Sequence, residues 1–362
     1  MLYYIQSLFI DQYTYLRIFK YISIRMGVAF GVSLCFMIIF GNSFIRWLKY
    51  KKFGDTIREY GPESHYLKQG TPTMGGLLII ASILFSTFIA GNFTNKFTIF
   101  LFFMTIVFST IGFYDDYLKL TKSKKGLSGK KKLLFQTIMT LIVFIFIYQL
   151  GLVNKTIDFS IINPVLKKSY IYIGPIAFFI FMFFIIVGTS NAVNLTDGLD
   201  GLVSSQIVTV SSILMLIAYA VGHYNWSEYI NIYYVMGAGE IAVFLSSIVG
   251  GCLGFLWFNF YPAQMFMGDV GSLTIGGLLG TIFILLKQEL LLPVMGIIFF
   301  IEALSVIIQV ISFRKFKKRV FKMAPIHHHF EKLGMPETKV TVRFLIITII
   351  AGLLALMILK LR

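Results

Sequence analysis

The sequence predicts an all-α protein that crosses a lipid bilayer many times. Of its 362 residues, 57% are hydrophobic and 13% are charged, whereas soluble domains average about 45–50% and about 25%. A membrane-spanning helix uses roughly 20 apolar residues, so the chain has enough of them for about ten spans. These proportions exclude a soluble enzyme, a disordered chain and a disulfide-stabilised secreted domain.

Ten apolar runs are long enough to be candidate spans of a single membrane domain covering residues 1–362. They lie at about 23–45, 73–92, 97–114, 133–152, 170–190, 202–222, 236–257, 271–287, 291–312 and 341–360. The third and the eighth runs are the shortest and carry polar residues or glycines. Nine spans are therefore the alternative.

Basic residues are concentrated in alternate connections between the spans. The connections 46–72, 115–132, 191–201, 258–270 and 313–343 carry 22 of the 32 lysines and arginines. Because positively charged loops stay in the cytoplasm, these connections are predicted to be cytoplasmic and both termini extracytoplasmic. The net charge of +16 also favours contact with anionic lipid or an anionic substrate, and makes nucleic acid a distant alternative.

The segment GFYDDYLKL at 112–120 places two acids at the end of a predicted span. On a helix, Asp115 and Asp116 lie four and three residues before Lys119, so either acid can pair with the lysine. A carboxylate pair of this kind can bind a cation or orient a phosphate. A simple ion pair at a helix end would give the same pattern.

The segment NAVNLTDGLDGL at 191–202 repeats polar residues at an interval of three. Asn194, Asp197 and Asp200 would lie along one side of a helical turn, and the glycines between them would leave that side open to a ligand. The alternative is a pair of ordinary turn or capping sequences.

The segment NFYPAQMFMGDVGSL at 259–273 joins two predicted spans. Asp269 comes directly before an apolar run, where it can act chemically or serve as the N-cap of the next helix. Asn259 and Phe266 offer an amide group and an aromatic face, which proteins use to hold a nucleobase.

Two further segments contain candidate phosphate-binding groups. In APIHHHFE at 324–331, His327, His328 and His329 cannot all bind one metal, because successive helical residues point about 100° apart. They can donate hydrogen bonds to phosphate or carry protons, or form an interfacial cluster. In LKQGTPTMGG, Lys68 and Thr73 precede a helix start, which is a general but weak anion-site pattern.

Two glutamates lie inside predicted spans, where ionisable residues are costly and usually functional. Glu240 is near the outer end of its span, from which its side chain could reach the interface. Glu302 is deeper and is expected to line the protein interior. Taken together, the acidic span ends on one face are expected to converge on a single site. There the acids suit magnesium, the basic residues suit a polyanion, and the adjacent membrane suits a lipid-borne reactant.

Five segments in combination resemble the signature loops of the polyprenyl-phosphate N-acetylhexosamine-1-phosphate transferases. They are GTPTMGG, FYDDYLK, NLTDGLDGL, FMGDVGSL and APIHHHFE. The resemblance covers essentially the whole chain, including ten spans with both ends outside. The triple histidine after Ala-Pro favours the phospho-N-acetylmuramoyl-pentapeptide-transferase branch over the N-acetylglucosamine-phosphate relatives.

The resemblance implies a reaction and a location. Phospho-N-acetylmuramoyl-pentapeptide would pass from UDP to undecaprenyl phosphate, with release of UMP and formation of lipid I, the first membrane step of peptidoglycan synthesis. The enzyme would depend on Mg²⁺, act on the cytoplasmic face of the bacterial inner membrane, and form a homodimer. The alternatives are a sister transferase using UDP-N-acetylglucosamine, and a secondary transporter, although transporters place their ion sites near the bilayer midplane.

The resemblance also implies roles for individual residues. The catalytic residues would be Asp115, Asp116, Asp269, His327, His328 and His329, with Asp269 as the magnesium ligand. The substrate-binding residues would be Lys68, Thr73, Lys119, Lys131, Asn194, Asp197, Asp200, Asn259 and Phe266, with Phe266 stacking on uracil. Which of the three lysines at 130–132 aligns with the family's basic position is left open.

Overall fold

In the residues that the structure describes, the protein is a bundle of long helices with one pair of short antiparallel strands. The computed structural model describes residues 1–9, 13–51, 70–121, 126–154, 159–164 and 170–360. At residues 152–154 the description covers the backbone alone. The long helices are α2 (Ile22–Tyr50), α3 (Gly76–Ala90), α4 (Lys96–Thr121), α5 (Gly129–Asn154), α6 (Gly174–Thr196), α7 (Leu202–Val221), α9 (Gly239–Asn259), α10 (Gly268–Leu285), α12 (Ile297–Phe316) and α14 (Glu337–Lys360).

Shorter elements connect or precede these helices. They are α1 (Leu2–Phe9), α8 (Tyr224–Ile230), α11 (Leu292–Met295), α13 (Ile326–Lys332), and 3₁₀ turns at Thr14–Lys20 and Glu289–Leu291. Strands β1 (Ser160–Ile162) and β2 (Tyr170–Tyr172) pair antiparallel, with Ser160 opposite Tyr172. Because β2 takes up the start of the predicted span 170–190, the helix there begins only at Gly174.

The prediction of an all-α polytopic membrane protein is confirmed. In the described part of the chain, nine helices are long and apolar enough to cross a membrane. The remaining candidate, 73–92, forms α3, whose 15 residues extend about 22 Å, less than the roughly 30 Å of a hydrocarbon core. The shortened span is thus the second, and not the third or eighth, because the glycines of α10 serve close helix packing rather than interrupting the helix.

Helix α10 lies in the interior of the bundle, in contact with α4, α6 and α3. Small residues let it approach these neighbours closely, as is common in membrane bundles. A methyl group on Gly112 of α4 would overlap the backbone of Asp269 and Val270. The backbones of α4 and α10 therefore touch directly beside the acidic residues of both helices.

The first turns of α12 pack near the loop that joins α6 to α7. Ile298 belongs to a buried cluster with Leu199 of that loop, Leu202 of α7, and Val340 and Phe344 of α14. The start of α12 therefore lies at the same end of the bundle as residues 197–201. This arrangement also brings Glu302 to that end.

A buried ion pair joins α2 to α9. Arg25 Nη1 donates to Glu240 Oε2 at 2.6 Å, and Nη2 donates to Oε1 at 2.5 Å. Both side chains are buried, with exposed fractions of 1% and 7%. Glu240 is therefore paired inside the protein instead of reaching the interface.

Removing Arg25 alone is expected to destabilise the fold strongly. Arg25→Ala would leave the Glu240 carboxylate buried without its partner, at a cost of about 3–5 kcal/mol. Thermal unfolding in detergent would measure the loss. The double variant Arg25→Met/Glu240→Met is the control and should recover most of the stability, since no charge is left unpaired. A single variant as stable as the double one would contradict this account.

Candidate active site

Three carboxylates from two helices meet at one end of the bundle. Asp115 and Asp116 lie near the end of α4, and Asp269 lies in the first turn of α10. One oxygen of each lies within 4.8 Å of the others, and all three residues are buried. The convergence predicted for these acids is therefore present. Both α4 and α5 extend into the predicted loop 115–132. Asp115 and Asp116 therefore lie on α4 and not in a loop.

Two lysines face this carboxylate cluster of Asp115, Asp116 and Asp269. Lys119 Nζ lies 2.6 Å from Asp115 Oδ2 and 2.8 Å from Asp269 Oδ2. Lys132 Nζ lies 2.9 Å and 2.7 Å from the same two oxygens. Two ammonium groups thus oppose three carboxylates, which leaves a formal charge of −1 when all five groups are ionised.

The lysine that reaches the cluster from α5 is Lys132, whereas the sequence prediction named Lys131. The side chain of Lys131 is exposed, and that of Lys132 is half-buried against the carboxylates. Sequence reasoning could not choose among three adjacent lysines, because the choice depends on the rotational phase of α5 and on where α5 begins.

Each carboxylate of the cluster has one oxygen fixed by a protein donor. Asp115 Oδ1 accepts a hydrogen bond from the backbone N–H of Leu127 at 2.6 Å. Asp116 Oδ2 accepts from the N–H of Val270 at 3.0 Å, and Asp269 Oδ1 accepts from Asn194 Nδ2 at 2.8 Å. The remaining oxygens, Asp115 Oδ2, Asp116 Oδ1 and Asp269 Oδ2, face the lysine ammonium groups at 2.6–3.6 Å.

The first turn of α10 is capped from another helix. Met267 occupies the N-cap position and makes no side-chain capping bond, and Asp116 of α4 accepts from the N–H of Val270 instead. Asp269 is therefore free of the capping role that the sequence left open for it. Gly268 has φ of +74°, and a Cβ there would lie 2.7 Å from Asp116 Oδ2, so this approach requires glycine.

The donor set of the cluster fits a hard divalent cation. Mg²⁺ prefers oxygen ligands and usually takes one or two carboxylates together with substrate phosphates and water. Three carboxylate oxygens converge here with fixed orientations. The lysine ammonium groups contact these same oxygens, so a bound cation would share the carboxylates with Lys119 and Lys132.

The last turn of α6 is bound to the cluster through Asn194. Its Nδ2 donates to Asp269 Oδ1, as above, and to Ser272 Oγ at 2.9 Å. Asp197 follows as the C-cap residue of α6 and is half-buried. The predicted helical stripe of Asn194, Asp197 and Asp200 therefore ends at Asp197, since Asp200 lies in the turn before α7.

Asp200 and Asn259 are buried in internal hydrogen bonds. Asp200 Oδ2 accepts from the N–H of Ala263 at 2.9 Å. Asn259 Oδ1 accepts from Ser204 Oγ at 2.7 Å, and Asn259 Nδ2 donates to the carbonyl of Met265 at 3.0 Å. Both residues are 2% exposed. They hold the segment 259–266 against the loop 197–201, and direct contact of their side chains with a nucleotide stays a prediction.

The segments GTPTMGG and FMGDVGSL are joined through their backbones. The N–H of Phe266 donates to Pro72 O, the N–H of Gly75 donates to Phe266 O, and both distances are 2.8 Å. Thr73 and Phe266 are therefore neighbours of the cluster, and both are half-buried. Lys68 lies outside the described residues. The stacking of Phe266 on uracil stays a prediction.

The three adjacent histidines have three different partners. His327 Nδ1 lies 3.0 Å from Glu302 Oε1, and His328 Nδ1 lies 2.7 Å from Glu331 Oε2. His329 Nδ1 accepts from the N–H of Lys322 at 3.1 Å. The three imidazole rings therefore contact three separate groups. The pairing of Glu331 with His328 could have been predicted from the sequence, because the two residues are three positions apart on one helix. The pairing of Glu302 with His327 joins two helices, so the sequence did not indicate it.

An apolar cavity of about 470 Å³ lies between α3, α4 and α5. Leu77, Thr110, Tyr114 and Phe135 are among its lining residues, and so is Leu127. Because the backbone N–H of Leu127 is bound to Asp115, the wall of this cavity adjoins the carboxylate cluster.

Comparisons with known proteins identify the family of this chain. Residues 98–287 match the model of glycosyl transferase family 4. Residues 68–80 match phospho-N-acetylmuramoyl-pentapeptide-transferase signature 1.

Several full-length relatives carry the name phospho-N-acetylmuramoyl-pentapeptide-transferase. The one from Fusobacterium nucleatum subsp. nucleatum is 53% identical over 348 residues, which are 96% of each chain. The one from Desulfotalea psychrophila is 47% identical over 348 residues, again 96% of each chain. The one from Neisseria meningitidis serogroup C is 44% identical over 350 residues, 96% of this chain and 97% of the relative. The chain therefore belongs to the phospho-N-acetylmuramoyl-pentapeptide-transferase family, within glycosyl transferase family 4.

Proposed function

We propose that the protein transfers phospho-N-acetylmuramoyl-pentapeptide from its UDP derivative to undecaprenyl phosphate at the cytoplasmic face of the bacterial inner membrane. The products are UMP and lipid I. The observation that carries the proposal is the cluster of three carboxylates and two lysines at one end of a membrane bundle, in a chain that matches its relatives over nearly its full length. A secondary transporter, which would need a site near the midplane, has no such support.

The reaction brings two anions together. An oxygen of the acceptor phosphate forms a bond to the β-phosphorus of the nucleotide, the bond from that phosphorus to the bridging oxygen breaks, and UMP leaves with the electron pair. A phosphate monoester has a second pKa of about 6, so the acceptor is mostly dianionic at neutral pH and needs no strong base. Electrostatic stabilisation is therefore the main requirement, and Lys119 and Lys132 supply positive charge for it.

We propose Mg²⁺ as the cofactor. Asp269 would hold it, with Asp115 and Asp116 beside it, because these residues present converging carboxylate oxygens. When bound, the ion would neutralise developing charge on the diphosphate oxygens. Asn194 would keep Asp269 in orientation, since it donates to the oxygen that does not face the lysines.

Chelation is expected to abolish UMP release from the purified protein supplied with UDP-N-acetylmuramoyl-pentapeptide and undecaprenyl phosphate. Adding Mg²⁺ back should restore it, and Ca²⁺ should not, because Mg²⁺ requires a smaller octahedral site. Undiminished release in EDTA would contradict a metal-dependent reaction. Replacing the donor with UDP-N-acetylglucosamine is the control for the sister activity, and turnover with that sugar would favour the alternative.

We infer direct attack by the acceptor phosphate, with Asp116 positioning groups rather than forming a covalent intermediate. Asp116 is 4% exposed, and one of its oxygens is bound by the N–H of Val270. Both features suit a residue that holds α10 in place. Incubating the protein with radiolabelled donor and no lipid acceptor should leave it unlabelled, and a trapped sugar-phosphate would overturn direct attack.

The apolar cavity beside the cluster supports a lipid-borne acceptor. A 150 Å³ apolar cavity can hold benzene, so about 470 Å³ has room for roughly three groups of that size. We propose that the first isoprene units of the acceptor lie here, with the phosphate towards Lys119 and Lys132. The homodimer implied by the resemblance is also a proposal, and the mass of the protein in detergent by light scattering would test it.

A further inference from the structure

A carboxylate buried in α12 faces a buried histidine in α13. Glu302 is 0% exposed and His327 is 1% exposed, and the distance between Glu302 Oε1 and His327 Nδ1 is 3.0 Å. The contact is a close approach of an acid and an imidazole without the alignment of a hydrogen bond, because none of the polar atoms of these two side chains has a hydrogen-bond partner among the described residues. A buried carboxylate without compensation costs several kcal/mol, so packing alone does not account for a glutamate here.

The other nitrogen of His327 faces the loop after α6. A methyl group placed on Gly198 would overlap His327 Nε2, so the imidazole edge lies directly against the backbone of this glycine. Gly198 lies in the turn that directly follows α6, the helix whose last turn carries Asn194. Because Asn194 donates to Asp269, the imidazole contacts the same end of α6 that is bound to the carboxylate cluster.

We propose that Glu302 is a positioning residue for His327. At this distance a small rotation of either side chain lets the carboxylate accept the Nδ1–H of the imidazole. That hydrogen bond would fix the tautomer and the ring plane and keep Nε2 towards Gly198. Outer partners of this kind commonly set the tautomer of functional histidines. The proposal rests on the proposed function, because the loop that His327 contacts belongs to the same site.

The neighbouring histidine shows how this pairing differs from a local one. His328 also has a carboxylate partner, but Glu331 lies three residues away on the same helix, and His328 remains 13% exposed. Glu302 instead comes from a separate helix and is enclosed completely. The Glu302–His327 pair therefore couples the position of α12 to the site, which the Glu331–His328 pair does not.

The expected kinetic result is that Glu302 and His327 act as one unit. Glu302→Leu should lower kcat/KM for the UDP-sugar about 10–100-fold. The separate changes in kcat and in KM should follow the same pattern as those caused by His327→Ala. Glu302→Gln should retain most activity, because its side-chain carbonyl can still accept the Nδ1–H. The double variant Glu302→Leu/His327→Ala should lose no more than His327→Ala alone, since contacting residues are not additive.

A spectroscopic measurement gives a readout that does not depend on turnover. The chain has five histidines, so the ¹⁵N resonances of His327 in labelled protein can be assigned by their loss in His327→Ala. The Nδ1–H tautomer should be present in wild type and in Glu302→Gln and should be lost or mixed in Glu302→Leu. If Glu302→Leu fails to fold, Glu302→Asp takes its place, with a smaller loss expected from the shorter side chain.

Ser305→Ala is the matched control. Ser305 is buried on the same turn of α12, and its hydroxyl donates to the backbone carbonyl of Glu302 at 2.7 Å, so its removal should leave turnover near wild type. Full activity of Glu302→Leu, or additive losses in the double variant, would overturn the positioning role. Absence of UMP release by wild type in the same assay would instead overturn the proposed function, so the two failures are distinguishable.

Discussion

Asp269→Asn is expected to lower UMP release by about 10³-fold while the protein remains folded. The substitution keeps the shape of the side chain but replaces one acceptor oxygen with a donor NH₂. Asp269 Oδ1 accepts from Asn194, and Oδ2 faces the ammonium groups of Lys119 and Lys132. Either orientation of an asparagine amide would therefore place NH₂ against a donor, in addition to removing a charge that the proposed Mg²⁺ would need.

The measurement is UMP release at saturating Mg²⁺, together with thermal unfolding to confirm the fold. Glu228→Gln is the matched control, because it removes one negative charge from an exposed position on α8 and should leave turnover unchanged. Turnover of Asp269→Asn near the wild-type rate would show that the metal is held elsewhere.

Lys132→Ala is expected to lower turnover by about 10²-fold, whereas Lys131→Ala should lower it by less than about fivefold, as for an exposed charge. The ammonium group of Lys132 contacts both Asp115 and Asp269, so its loss leaves the cluster more negative where two further anions must bind. The side chain of Lys131 is exposed instead.

The pair of lysine variants differs by one position on the same helix, so general effects of charge on the membrane surface are matched. Lys132→Arg is an additional check, since it keeps the charge and should retain more activity than Lys132→Ala. Equal losses for Lys131→Ala and Lys132→Ala would contradict the assignment of Lys132 to the site.

The sequence predicted the membrane fold and the meeting of the acids for a simple physical reason. Apolar runs and loop charge give a predicted number and direction of spans, and Asp115, Asp116 and Asp269 all lie at span ends predicted to share one face. The alternation of spans therefore predicts that these three acids lie at the same end of the bundle, even though the sequence does not show which helices are in contact.

The details that the sequence left open depend on helix phase and on packing between distant segments. The choice of Lys132 needs the start of α5 at Gly129, and the pairing of Glu302 with His327 needs the contact between α12 and α13. Asp200 and Asn259 illustrate the same limit. A polar side chain in or next to a loop can line a binding site, or it can stabilise the loop by hydrogen bonds inside the protein. The sequence pattern is the same in both cases.

The direct contact of α4 with α10 at Gly112 has a consequence for how the chain tolerates change. The spacing between Asp116 and Asp269 is set where the backbone of α4 meets the backbone of α10 directly. Adding a single methyl group there would push the acids apart without altering any of them. Temperature-sensitive variants of this protein are therefore expected at glycines within the membrane, as well as among the residues that meet the substrates.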